Sequence, residues 1–216
     1  FLSTAPKIAA MGLLVRVLFD CFGAALMEWR QLIIFLSFSS MALGSIAAAG
    51  QRDIKRLMAF SSICHMGFAL IGIAAGSHLG INAVIMYLIT FVIMILGVFA
   101  FILNMERDGI PIHNLKALGK YSQVFPRRAF FFAVLLSSLA GIPPLTGFFT
   151  RFQIFIAAVS ADLMLLAIFG GIASVIISVV YLRVVYIMYF GPDATAMNGS
   201  MPFSHWLIFG GSSIAV

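Results

Sequence analysis

Charged residues divide this chain into long apolar runs. Residues 31–51 and 57–105 contain no Asp, Glu, Lys or Arg, and neither do 129–150 and 163–182. A helix needs about 20 apolar residues to cross a bilayer, so 57–105 is too long for one crossing. Its Gly76-Ser77-His78-Leu79-Gly80 stretch favours a turn and predicts two helices. With the opening run, 2–19, the pattern predicts six crossings, and a truncated seventh starts near His205. Phe1 and Val216 both lie inside apolar runs, with no initiator Met or signal peptide, which predicts a part of a longer polypeptide.

Composition turns these runs into a membrane argument. The chain is 62% hydrophobic and 9% charged, against about 25% charged in soluble domains. A soluble fold would expose large apolar patches, whereas lipid makes an apolar exterior the stable one. The expectation is an all-α integral membrane bundle over 1–216, as one membrane domain. The net charge of +6 does not signal nucleic acid, because the basic residues sit in short loops with no basic stripe.

Those loops set orientation. The loops at 52–56, 106–128 and 191–204 hold Arg52, Lys55, Arg56, Arg107, Lys116, Lys120, Arg127 and Arg128, whereas the opposite loops hold only Arg30. By the positive-inside bias the first set faces the cytoplasm or an organelle's matrix. The 106–126 loop is long enough to carry a short interfacial helix around 114–121. Cys21 and Cys64 have no metal or redox spacing and read as buried small apolar residues. No haem, flavin, nucleotide or Fe–S motif occurs, so no redox chemistry is expected of this chain.

An ionisable side chain at mid-membrane costs at least about 2.5–3.5 kcal/mol and needs a reason. Lys7 follows Pro6 among small residues that let another helix approach. It suits proton transfer if desolvated, or snorkels to the interface. His65 lies ten residues after Lys55, roughly 15 Å along a helix and near the midplane. Its imidazole can take a proton on one nitrogen and release one from the other, or it is held by a neighbouring Ser or carbonyl. Arg151 follows Gly141, Pro143, Pro144 and Gly147. Two prolines there must break the helical hydrogen bonding, and a broken helix beside an ionisable residue is how transporters build midplane ion sites. The alternative is a Pro-kinked helix kept for packing. Arg16 and Arg183 read as structural.

Three segments, taken in order, resemble a known family: Ser3-Thr4-Ala5-Pro6-Lys7-Ile8-Ala9, Asp53-Ile54-Lys55-Arg56-Leu57-Met58-Ala59-Phe60-Ser61-Ser62-Ile63-Cys64-His65-Met66-Gly67, and Ser138-Leu139-Ala140-Gly141-Ile142-Pro143-Pro144-Leu145-Thr146-Gly147-Phe148-Phe149. They are similar to the antiporter-like proton-pumping subunits of respiratory complex I, the family of NADH–quinone oxidoreductase subunit N and mitochondrial NADH dehydrogenase subunit 2. The resemblance implies a fourteen-helix fold with two inverted five-helix repeats, each with one broken helix. This chain would run from the eighth helix into the fourteenth, with the second repeat over 31–190. Lys7 would match the central lysine and His65 the relay histidine. Arg151 stands where the family usually has a lysine completing the outward channel, and arginine does not release its proton.

The implied function is proton translocation coupled to quinone reduction in a bacterial plasma or mitochondrial inner membrane, beside other complex I membrane subunits and lipid. NADH, FMN, Fe–S clusters and quinone would be bound by partner subunits. A multi-subunit cation/proton antiporter and a non-transporting fragment are the alternatives.

Overall fold

The computed structural model describes residues 5–107, 110–192 and 203–216. Expectations that fall on 1–4 and on most of the 191–204 loop lie outside them. The described chain is a bundle of nine α-helices. They are α1 (Ala5–Arg16), α2 (Leu26–Ala49), α3 (Ile54–Ala74), α4 (His78–Ile102), α5 (Tyr121–Val124), α6 (Pro126–Ala140), α7 (Thr146–Ser160), α8 (Met164–Phe190) and α9 (Phe203–Ala215). Four of them, α2, α3, α4 and α8, are each long and apolar enough to cross a membrane alone.

Local chemistry explains most helix boundaries. Asp53 caps α3 by accepting from the amides of Lys55 and Arg56 at 2.8 and 3.1 Å, as a side-chain oxygen at an N-cap should. Ser77 caps α4 through the Gly80 amide, so the glycine-rich stretch is the turn that the pattern predicts. Pro126 opens α6, where its missing N–H costs nothing. Between α1 and α2 the chain passes through a π-helical turn, Val17–Cys21, and a 3₁₀ turn, Gly23–Ala25. Cys21 is exposed there, contrary to the reading of both cysteines as buried; Cys64 is buried. A break in regular α-structure at the end of α1 turns Cys21 outward.

The connection 106–126 carries more structure than its sequence suggests. Glu106–Arg107 (β1) and Ile110–Pro111 (β2) form a short antiparallel ladder. Asn114 caps a 3₁₀ turn at Leu115–Leu118, followed by the single turn of α5. This loop pairs with the α2–α3 connection: Ile54 N–H donates to the His113 carbonyl at 2.8 Å and Leu115 N–H to the Arg52 carbonyl at 2.9 Å. These two basic loops therefore lie together at one end of the bundle.

At the other end Arg30 ties two helices together. Its Nε donates to the Ala74 carbonyl at 3.0 Å and its Nη2 to the Ala161 carbonyl at 2.6 Å, at the C-termini of α3 and α7. A cation suits a helix C-terminus, where unpaired carbonyls concentrate negative partial charge. Arg183 does the same for α2 through the Ala49 carbonyl at 3.1 Å. Arg30→Ala is therefore expected to lower stability by about 2 kcal/mol, since each lost hydrogen bond has a charged donor. Thermal unfolding of the complete protein in detergent checks this, and an unchanged midpoint would remove the role.

Helix α3 is the central one, buried along most of its length, whereas α2 and α8 bury residues on one face. It meets α2 backbone to backbone, with Gly44 against Cys64 and Gly67 against Met41. The Ser37 hydroxyl donates to the Gly67 carbonyl at 2.8 Å. Helices α6 and α7 follow one another along α4. Phe132 of α6 stacks on Phe101 near the end of α4, at 4.0 Å between ring centres. Gln153 and Ile156 of α7 line a groove with Leu79 and Asn82 near its start. Each half is 15 residues, about 22 Å at 1.5 Å per residue, too short to cross alone.

Candidate functional site: a buried polar row on the central helix

The break between α6 and α7 falls at 141–145, so Gly141, Pro143 and Pro144 lie within it and Gly147 is the second residue of α7. Gly141 ends α6 with φ of +80°, a left-handed conformation that glycine adopts without strain. A Cβ there would fall 2.9 Å from an Arg151 guanidinium nitrogen, so the glycine also makes room for that side chain. Gly147 packs against the Ser138 carbonyl, and its amide donates to Ser138 Oγ at 3.2 Å. The Thr146 amide donates to the Val216 carbonyl at 3.2 Å, which brings the end of α9 to the break.

Arg151 is 4% exposed and points back at the end of α6. Its Nη1 donates to the Ala140 carbonyl at 2.8 Å and Ser174 Oγ of α8 at 2.9 Å, and its Nη2 donates to the Leu139 carbonyl. The guanidinium carbon lies 5.0 Å from the centre of the Phe68 ring, within cation–π range. No acidic side chain is among the buried polar residues described. Carbonyl dipoles, one hydroxyl and an aromatic face therefore hold this cation in place of a carboxylate.

His65 is 1% exposed, and both ring nitrogens meet tyrosine hydroxyls from other helices. Tyr87 of α4 lies 2.6 Å from Nδ1, and Tyr181 of α8 lies 3.0 Å from Nε2. Ser61, one turn before His65 on α3, donates to the Met58 carbonyl at 3.0 Å. Lys7, half-buried on α1, donates from Nζ to Ser62 Oγ, the neighbour of Ser61. Lys7 and Arg151 thus meet the stretch of α3 that carries His65, Lys7 through the Ser62 hydroxyl and Arg151 over the Phe68 ring.

These hydroxyls were not among the residues that the sequence singles out. A tyrosine in an apolar run looks like any other aromatic, and which one faces a histidine on another helix depends on packing. Ser61 and Ser62 precede His65 by one turn, the sole sequence signal for the row. The expected alternative for His65, a lone Ser or carbonyl, is replaced by two tyrosines.

The family model described as "NADH:quinone oxidoreductase/Mrp antiporter, TM" matches residues 1–177. The chain belongs to that family. It is 49% identical over 202 residues to NADH-quinone oxidoreductase subunit N of Rhodobacter capsulatus, which covers 94% of this chain and 42% of that protein. It is 47% identical over 214 residues to subunit N of Parvibaculum lavamentivorans, 99% of this chain and 44% of that one. The chain thus spans less than half the length of these relatives. Among solved structures it matches a chain of Thermus thermophilus respiratory complex I with TM-score 0.74 and 25% identity, over 86% of this chain and 42% of that chain. It also matches a chain of the Mrp complex from Dietzia with TM-score 0.79 and 25% identity, over 90% and 36%. The antiporter-like membrane bundle expected from the sequence is this family's fold.

Proposed function

We propose that this chain is the proton-handling second half of a subunit N of NADH–quinone oxidoreductase, a pump subunit that carries no redox centre itself. The observation that carries the reading is His65, buried in the bundle with a hydroxyl on each ring nitrogen. Such an imidazole can accept a proton on one side and release one on the other. Lys7 is the ionisable group at one end, next to the half-buried surface of α1. Arg151 supplies a positive charge at the other end, beside the broken helix. An arginine does not give up its proton, so its part is to shape the electrostatics of the row. A proton leaving at that end travels on hydroxyls or water.

In this reading quinone reduction in partner subunits, which bind NADH, FMN and the Fe–S clusters, shifts charge along Lys7, His65 and Arg151. Protons move from the side of the basic loops to the opposite side. The membrane is the bacterial plasma membrane or the mitochondrial inner membrane, with other complex I membrane subunits as neighbours. The span from α2 to α8 corresponds to the second five-helix repeat.

Lys7→Ala and His65→Gln, each in the full-length subunit of the assembled enzyme, are expected to cut protons pumped per NADH oxidised to a small fraction of wild type. The assembled amount should stay unchanged. A ratio equal to wild type in both variants would sink the reading. The likeness to the Mrp complex supports a second reading, a cation/proton antiporter without redox partners. Mass spectrometry of what co-purifies from native membranes separates the two: flavin and Fe–S subunits favour the pump, and further antiporter subunits alone favour the exchanger.

A further inference from the structure

Helix α6 opens with a charge pattern that its own backbone disfavours. The positive end of a helix dipole lies at the N-terminus, where acidic side chains stabilise and basic ones do not. The first turn of α6 nonetheless carries Arg127 and Arg128 directly after Pro126, with no acidic residue. The Arg128 guanidinium carbon lies 4.8 Å from the centre of the Phe125 ring, within cation–π range, whereas Arg127 is exposed. Both cations line a cleft of about 300 Å³ together with Phe125, and Trp206 of α9 completes it. No Asp or Glu is among the described residues that line it. Two guanidiniums and the start of a helix thus add their positive potential in one cleft, and forked guanidinium donors match the oxygens of a phosphate.

The cleft continues into an apolar hollow. Pro126, Arg127 and Trp206 also line a second space of about 540 Å³, whose other walls are Phe130 and Phe131. Phe130 is 59% exposed, and Trp206 sets its ring edge to face against Phe131 at 6.0 Å between centres. The start of α9 is held here by Asn104, just past the end of α4, whose Nδ2 lies 2.9 Å from His205 Nδ1. This is the end of the bundle where the basic loops lie, and tryptophan is enriched at the membrane–water interface. A free inorganic anion makes no use of the aromatic wall, and an uncharged lipid makes no use of the two arginines. An amphipathic anion uses both.

We propose that this cleft between α6 and α9 binds one phospholipid with a net negative headgroup. Its phosphate sits against Arg127 and Arg128, and an acyl chain runs along Phe130, Phe131 and Trp206. The positive-inside bias assigns this end to the cytoplasmic or matrix side, and the anionic lipids of a cytoplasmic leaflet attract basic residues at its surface. A zwitterionic headgroup is disfavoured because its ammonium would approach two fixed cations. The lipid would tie the start of α6 to α9, the helix whose other end reaches the break at Thr146. None of this depends on the proton-handling reading.

The test uses the complete enzyme, stripped of lipid in detergent and reconstituted with phosphatidylglycerol or phosphatidylcholine bearing the same photoreactive acyl chain. After illumination the labelled peptides are mapped by mass spectrometry. Phosphatidylglycerol is expected to label the 126–131 segment and the peptide containing Trp206 several-fold more than phosphatidylcholine does. Raising the salt concentration should narrow that difference. Arg127→Gln combined with Arg128→Gln should bring both lipids to the same low level in these peptides, with total labelling of the enzyme as in wild type. Equal labelling by the two lipids in the wild type, or none by either, overturns the proposal whether or not the double variant assembles. Where it does not assemble, Arg127→Gln alone, at the exposed arginine, repeats the comparison. A preference for phosphatidylglycerol that survives loss of the arginines also overturns it. Millimolar inorganic phosphate should leave the labelling intact, and displacement would show a phosphate site in place of a lipid site.

Discussion

Arg151→Leu is expected to leave the assembled amount of enzyme near wild type while removing most of the protons pumped per NADH. Two large terms oppose each other in its stability. Leucine leaves the buried Leu139 carbonyl without its donor, at about 1–3 kcal/mol; Ala140 keeps a second donor, Ser178 Oγ at 2.6 Å. Against this, a cation with no described carboxylate partner no longer has to sit inside the membrane, which recovers about the same amount. The net change in folding is therefore small. The electrostatic change is not, because the fixed charge held over Phe68, on the same helix as His65, disappears from a low-dielectric interior. Arg151→Lys keeps the charge with a shorter, single-headed donor and should restore much of the pumping. Proton-to-electron ratios in vesicles, normalised to assembled enzyme, check both. If lysine performs no better than leucine, the forked geometry of arginine matters and the charge alone does not.

The second large effect is in the α2–α3 contact. A Cβ placed on Gly44 would come within 2.5 Å of the Cys64 backbone nitrogen and 2.9 Å of its Cα and Cβ. Backbone atoms cannot rotate away, so the helices must separate. In a membrane, where lipid is as apolar as leucine, helix association depends on this kind of close approach between small residues. Gly44→Leu is expected to deplete the protein from the membrane. Even Gly44→Ala should destabilise by about 1–3 kcal/mol, the usual cost of overpacking. Gly171 of α8 supplies the contrast, since nothing lies within 4 Å of its Cβ direction. There an alanine should stabilise by up to about 1 kcal/mol through helix propensity alone. Opposite signs in detergent unfolding, together with immunoblots of the membrane fraction, test the contact. A Gly44→Ala protein as stable as Gly171→Ala would refute it. Cys64 is the residue before His65, so partial separation of these helices should also disturb the histidine's two hydroxyl contacts.

The apolar runs made the bundle readable. Residues 31–51 became α2, the 57–105 run divided at Ser77, and the Gly-Pro-Pro-Gly region became a break because two prolines cannot continue a hydrogen-bonded helix. The 106–126 loop was poorly legible, because its ladder and its pairing with Asp53 come from contacts distant in sequence. Cys21 misled because its apolar neighbours hide a local change to π-helical winding.

At the candidate site the division is sharper. Sequence alone determined that this chain spans a membrane, which segments are helical, where one is broken, and that Lys7, His65 and Arg151 are ionisable groups inside or beside apolar runs. Those facts follow from local composition and the price of charge in lipid. Only the tertiary structure decided that Tyr87 and Tyr181 bracket His65, that Arg151 is tied to the end of α6, and that Lys7 reaches α3 through Ser62. Each of these joins residues on different helices. Their meeting depends on rotation and packing around α3, which no periodicity within one segment encodes.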